Sequence, residues 1–195
     1  RSAAAARSAA MRSSSALIFY WGVSCQSSLD LHNILFSADY MAEFDALFQK
    51  KHFGNDITVY IFISNKVVQS DAPLGCENWF VMVNAPENVG QDWAAETAKA
   101  RSVILSKISS HLGIDIEKHI VNERIVTPVD IEANTGSVNG SLYGHSSNGA
   151  LAAFLRHPNY SRHYKNLYFV GGSVHPGGGI PLCLASAKIA TQLIK

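Results

Sequence analysis

Cysteine is scarce in this sequence and never closely spaced: Cys25, Cys76 and Cys183 are odd in number and form no C-x-x-C pair. That argues against a disulfide framework or a thiolate metal site and reads as free thiols in a reducing compartment. His111, His119, His157 and His163 show no ligand spacing either, so no metal is expected. No apolar run approaches the roughly 20 residues of a membrane-spanning helix, so any membrane association is expected to be peripheral. Carboxylates are missing from the last 63 residues. All fifteen lie at or before Glu132, and from Ala133 onward there are five Lys/Arg. The tail therefore carries +5 while the remainder, eleven bases against fifteen acids, carries −4. Such a tail suits an anionic ligand such as a phosphate, and solvated surface charge gives the same pattern. A net charge of +1 gives no reason to expect nucleic acid.

What is present is a core. With 47% hydrophobic and 16% charged residues, 195 residues suffice for one or two folded domains. Residues 1–15 (RSAAAARSAAMRSSS) are set apart: rich in Arg, Ala and Ser and without acids, they have the composition of an organellar transit peptide or of a read-through artefact. Residues 16–22 (ALIFYWG), 57–63 (ITVYIFI) and 79–83 (WFVMV) are dense in β-branched and aromatic residues and predict strands, the last two adjacent in an antiparallel sheet. Tyr40, Phe44 and Phe48 recur at helical spacing. Asp92 predicts the cap of a helix whose face carries Trp93, Thr97, Ala100, Ile104, Ile108 and Leu112, closed by Gly113. Thr127-Pro128-Val129-Asp130 supplies an N-cap, a proline at N1 and an acid at N3. Residues 134–149, with four glycines among Ser and Asn, predict a long loop of the kind that often carries function.

The closing stretch, LYFVGGSVHPGGGIPLCLASAKIATQLIK, runs a short apolar strand into a glycine cluster and out on a helix with Leu182, Ala185, Ile189 and Leu193 on one face. Glycine lets a backbone bend sharply and approach a ligand, and a helix start offers free N–H groups to negative charge. A P-loop would need Lys-Ser/Thr after the last glycine, where Ile180-Pro181 stands. A hydrolase elbow would need an acid after Ser173, and none follows. A dinucleotide or flavin at the helix start remains.

The run from Gly171 to Pro181 (GGSVHPGGGIP) resembles the C-terminal flavin-binding motif of the bacterial-type phytoene desaturases, the carotenoid desaturase family. Gly140-Ser141-Leu142-Tyr143-Gly144, Arg156-His157-Pro158-Asn159 and the stretches at 83–86 and 90–93 are similar to further segments of that family, so the likeness spans about residues 16–195. It implies an α+β or α/β chain forming the C-terminal part of a two-domain, amine-oxidase-like FAD enzyme. Residues 16–125 would belong to an antiparallel-sheet substrate domain and 126–195 would return to the FAD domain as its closing strand, turn and helix. The cofactor would be FAD, touched by Gly171, Gly172, Ser173, His175, Gly178, Gly179, Ile180, Pro181 and Leu182. The substrate would be an acyclic carotenoid taken from a membrane surface by a peripheral protein on its cytoplasmic face. Ser146-Ser147-Asn148 and Leu182-Cys183-Leu184 look most like the branch acting on hydroxylated acyclic carotenoids, or like a phytoene desaturase proper; the motifs do not choose. The chain contains no G-x-G-x-x-G, so the N-terminal FAD-binding half is expected to lie outside it. His175 either orients the turn or acts beside the flavin, and no other catalytic residue can be named. Tyr143 and Trp79 are candidates for a polyene tunnel, as are Tyr20, Trp21 and Phe80, which as strand aromatics equally suit a core. Phe44, Phe48 and Phe53 beside Lys50 and Lys51 are expected to supply a membrane-facing surface. Another flavin amine oxidase, or a non-catalytic lipid-binding or interaction module left from half an enzyme, are the alternatives.

Overall fold

The computed structural model describes residues 12–144 and 156–194. In chain order these form β1 (Ser15–Val23), β2 (His32–Leu35), α1 (Tyr40–Asp45), β3 (Val59–Ile63), β4 (Glu77–Ala85), α2 (Trp93–Leu112), β5 (Ile120–Val126), α3 (Pro128–Thr135) and α4 (Ile180–Leu193). The strands make one antiparallel sheet in the order β2-β3-β4-β1-β5. This is an α+β arrangement, and the expected pairing of the strands around 57–63 and 79–83 is present as β3 against β4. β1 opens at Ser15, one residue before the expected start.

Alternation decides what each sheet face does. Leu17, Phe19 and Trp21 of β1, Val59, Ile61 and Ile63 of β3, and Trp79, Val81 and Val83 of β4 all point to one side and are buried. With Ala100, Ile104 and Ile108 of α2 they form a single core. That helix is specified as its sequence suggests: the Asp92 carboxylate accepts from the Ala94 and Ala95 N–H groups, and Gly113 closes it in the left-handed region at φ 69°. The α3 start is a full capping box between Thr127 and Asp130 with Pro128 in the first turn.

Trp79 is 1% exposed and Trp21 2%, so both are core residues and neither tryptophan ring is open to a ligand from this face. The Trp79 indole donates to Glu77, whose buried carboxylate also accepts from the Ser27 N–H and hydroxyl and pairs with Lys66 at 2.7 Å. Burial works against the charged form of Glu77, but Lys66 and these donors outweigh it and hold the carboxyl below its ordinary range.

Around α1 the expected surface is redrawn. Tyr40, Phe44 and Phe48 do pack in sequence as tilted rings, with centroids 4.6 and 5.4 Å apart, while the helix widens to π geometry over Ala46–Lys50. Phe53, however, is fully buried against Trp93, and Phe48 packs on the core. Lys50 pairs with Asp45 and Lys51 with Glu87. The apolar side chains that do face outward here are Phe36, Tyr40 and Met41.

Candidate functional site

The glycine turn before α4 is held in place by a small polar hub. Asn159 is buried, and its side-chain amide lies within hydrogen-bonding distance of the Phe169 carbonyl (3.1 Å), the His175 carbonyl (2.9 Å) and Ser186 Oγ (2.8 Å). Ser186, buried on the inner face of α4, accepts in turn from the Gly171 N–H. Backbone bonds from Phe169 N–H to the Asn159 carbonyl and from His175 N–H to the His157 carbonyl, each 2.9 Å, complete the clamp. One side chain thereby joins the segment 167–170, which makes a single bridge from Tyr168 to Tyr160 instead of the expected strand, to the turn and the outgoing helix. Its only trace in the sequence is the Arg156–Asn159 segment.

A second layer lies over the turn. Ser13, Ser14 and Ser15 bond to Gly144, Tyr143, Leu142 and Gly140, so the entry to β1 carries the 140–144 loop. That loop lays the Tyr143 ring across Gly178 and beside Gly172. Arg156 reaches between the two layers, donating to the Gly172 carbonyl at 3.2 Å.

The expected cofactor residues, Gly171, Gly172, Ser173, His175, Gly178, Gly179, Ile180, Pro181 and Leu182, therefore lie on one continuous turn and helix start. Gly171, Gly177 and Gly179 have φ values of 122°, 142° and 97°, where residues with a Cβ are strained. Among the described residues no side chain caps α4 and none fills the space beside Gly179. The start of α4 thus faces outward with a positive dipole end and no competing acid. His175 is held through its backbone while its imidazole is exposed, and among the described residues no hydrogen bond to that ring is seen. Ser146, Ser147 and Asn148 lie outside the described residues.

The predicted face of α4 does not behave as a core face. Ser186 and Ala190 are its buried residues, while Ile180, Leu182, Leu184 and Leu193 are exposed. Helical spacing showed that the helix was amphipathic but not which side would be covered.

A second surface was foreseen only in part, through Tyr20 and Phe80. The outward face of the sheet carries His32, Phe62, Phe80, Tyr20 and Arg124 in one cross-strand row, each opposite the next in register. Four inter-strand steps make it about 19 Å long. Ring contacts run along it: His32–Phe62 at 5.0 Å and Tyr20–Phe80 at 5.4 Å, with Tyr60 from the adjoining row 6.2 Å from Phe80. A groove of about 560 Å³ lies over Tyr20, Phe62, Phe80 and Arg124. Tyr20 and Phe80 are thus parted from Trp21 and Trp79 by strand alternation.

No family model matches this chain. It is 59% identical over 184 residues, 94% of its length, to a 1-hydroxycarotenoid 3,4-desaturase of Flavobacterium sp. (strain P99-3). It is 37% identical over 177 residues, 90% of its length, to a 4,4'-diaponeurosporene oxygenase of Staphylococcus aureus (strain MW2). The chain belongs to the carotenoid desaturase family, whose relatives here are carotenoid-modifying oxidoreductases. It spans 38% and 36% of the length of these two relatives.

Proposed function

We propose that this chain is the C-terminal part of an FAD-dependent desaturase that removes two hydrogens from adjacent carbons of a hydroxylated acyclic carotenoid. The likeness at 59% to a desaturase, against 37% to an oxygenase, carries the choice of reaction. In this reading the chain forms the sheet-bearing substrate domain and the closing turn and helix of an amine-oxidase-like FAD domain. The remaining FAD-binding half completes the enzyme.

The residues of the turn fit the cofactor. An uncapped helix start, open space beside Gly171 and Gly179 and a carboxylate-free tail all favour an electron-rich ring edge over a cation. Gly179, Ile180 and Leu182 would hold it, with Gly178 reached once the Tyr143 ring swings aside; Pro181 lacks an N–H and sets the first turn. When bound, FAD supplies the two-electron acceptor that a hydrocarbon chain lacks. This chain's residues position the polyene, exclude water and fix the turn through Asn159. The second hydrogen leaves as a proton, and the exposed His175 imidazole is the candidate to take or relay it. The enzyme meets its insoluble substrate as a peripheral protein on the cytoplasmic face of a membrane; no helix among the described residues is long and apolar enough to cross one.

A chimaera tests this. The matched segment of the Flavobacterium relative is replaced by residues 12–195 and expressed in cells that accumulate a 1-hydroxylated acyclic carotenoid. A product with its absorption shifted to the red by further conjugation is expected. A folded, flavin-loaded chimaera that makes only an oxygenated chain end, or nothing, would overturn the reading.

A further inference from the structure

His32 and Tyr60 stand side by side at the β2 end of the aromatic row. His32 Nδ1 and the Tyr60 hydroxyl are 2.8 Å apart, and the two rings stack at 6.1 Å. Their relative protonation has two solutions with the same consequence. If Tyr60 donates to Nδ1, its oxygen is left to accept and the Nε2–H to donate. If Nδ1–H donates to Tyr60, the phenol O–H is left to donate and Nε2 to accept. In both cases the pair offers one donor and one acceptor outward. A neutral alcohol needs that combination, and a methyl or methylene group can use neither half. Arg124, at the other end of the row, offers only donors and a charge that is costly to remove from water. Between the ends lie Phe62, Phe80 and Tyr20, whose rings suit a flat conjugated chain.

We propose that the His32–Tyr60 pair is the specificity element for the substrate's hydroxyl, holding the oxygenated end while the polyene lies along the Phe62–Phe80–Tyr20 row. This rests on the reading of the protein as acting on hydroxylated carotenoids and adds which side chains tell a hydroxylated chain from a plain one. The pair marks one end of the row for the alcohol; at the other end the groove is lined by Arg124 and the Asn122 amide, which also carries a donor and an acceptor. Loss of one neutral hydrogen bond corresponds to roughly a tenfold change in affinity.

The test uses the full 195-residue chain and two probes delivered in mild detergent micelles: an acyclic 1-hydroxycarotenoid and the same polyene without the hydroxyl. Binding is read from the polyene's absorption shift and induced circular dichroism. The parent is expected to favour the hydroxylated probe by roughly tenfold. Tyr60→Phe and His32→Leu should each remove most of that preference while leaving the hydrocarbon's affinity unchanged. Tyr20→Ser with Phe80→Ser should weaken both probes alike. Equal binding of the two probes by the parent, or a Tyr60→Phe change that is the same for both, overturns the hydroxyl assignment and leaves the polyene surface standing. Unaltered binding in the Tyr20/Phe80 variant removes the row as the polyene's seat, and the proposal with it. Failure of the parent to bind either probe removes the carotenoid reading beneath both.

Discussion

A Cβ on Gly178 would overlap the ring of Tyr143, so within this chain the close approach that glycine permits is to a protein side chain. The sequence reading gave the same glycine the task of admitting a flavin. The two are separable by mutation, because Tyr143 lies in a loop and is 43% exposed, free to swing aside. Gly178→Ala is expected to cost about 1 kcal/mol, the range of mild overpacking where a neighbour can yield. In a Tyr143→Ala background that cost should fall nearly to zero, a coupling that a double-mutant cycle read by urea denaturation measures directly. Additive effects would mean that the alanine meets something other than the ring.

At the scale of elements, Asn159 does for the closing segment what the core does for the sheet. Removing its amide leaves the Phe169 and His175 carbonyls short of a donor in a buried place, while Ser186 Oγ keeps the Gly171 N–H. Asn159→Ala is therefore expected to cost about 3 kcal/mol within that segment, the sum of incompletely satisfied polar groups. Hydrogen exchange should show the loss as faster exchange at Phe169, Gly171 and His175 with the β1–β4 ladder unchanged; uniform acceleration would refute a local role. Helices and central strands were legible because their signals are local: the Asp92 cap, the Thr127 capping box and the runs around 57–63 and 79–83 all specify what formed. The outer strands were not. β2 is four residues long, and β5 (IVNERIV) is mostly exposed, since an edge strand owes its place to pairing rather than to apolar alternation. The glycine turn could be read from its composition, whereas the hub that fixes it joins Asn159 to Ser186 across 27 positions. Likewise the aromatic row exists only in the register of the sheet, with its four rings on four different strands and Arg124 on a fifth.

At the scale of the whole molecule, the proposed contact with a membrane would follow from which apolar side chains the fold leaves outside. Phe36 is 69% exposed, Met41 78% and Tyr40 50%, clustered where β2 leads into α1. Phe53 is spent on the core and Phe48 largely so. The two lysines that suggested attraction to anionic lipid are also differently placed, since Lys50 and Lys51 each face a carboxylate within 3 Å. Apolar insertion, rather than charge, should then dominate. Burying three such side chains in part is worth about 3 kcal/mol, or roughly a hundredfold in partition. Co-sedimentation of the chain with neutral and anionic vesicles should accordingly differ little and change little with salt. Phe36→Ser, Tyr40→Ser and Met41→Ser together should release the protein from both vesicle types while its circular dichroism stays unchanged. Continued pelleting of that variant, or binding confined to anionic vesicles at low salt, would place the membrane contact elsewhere, with the exposed flank of α4 next to be substituted.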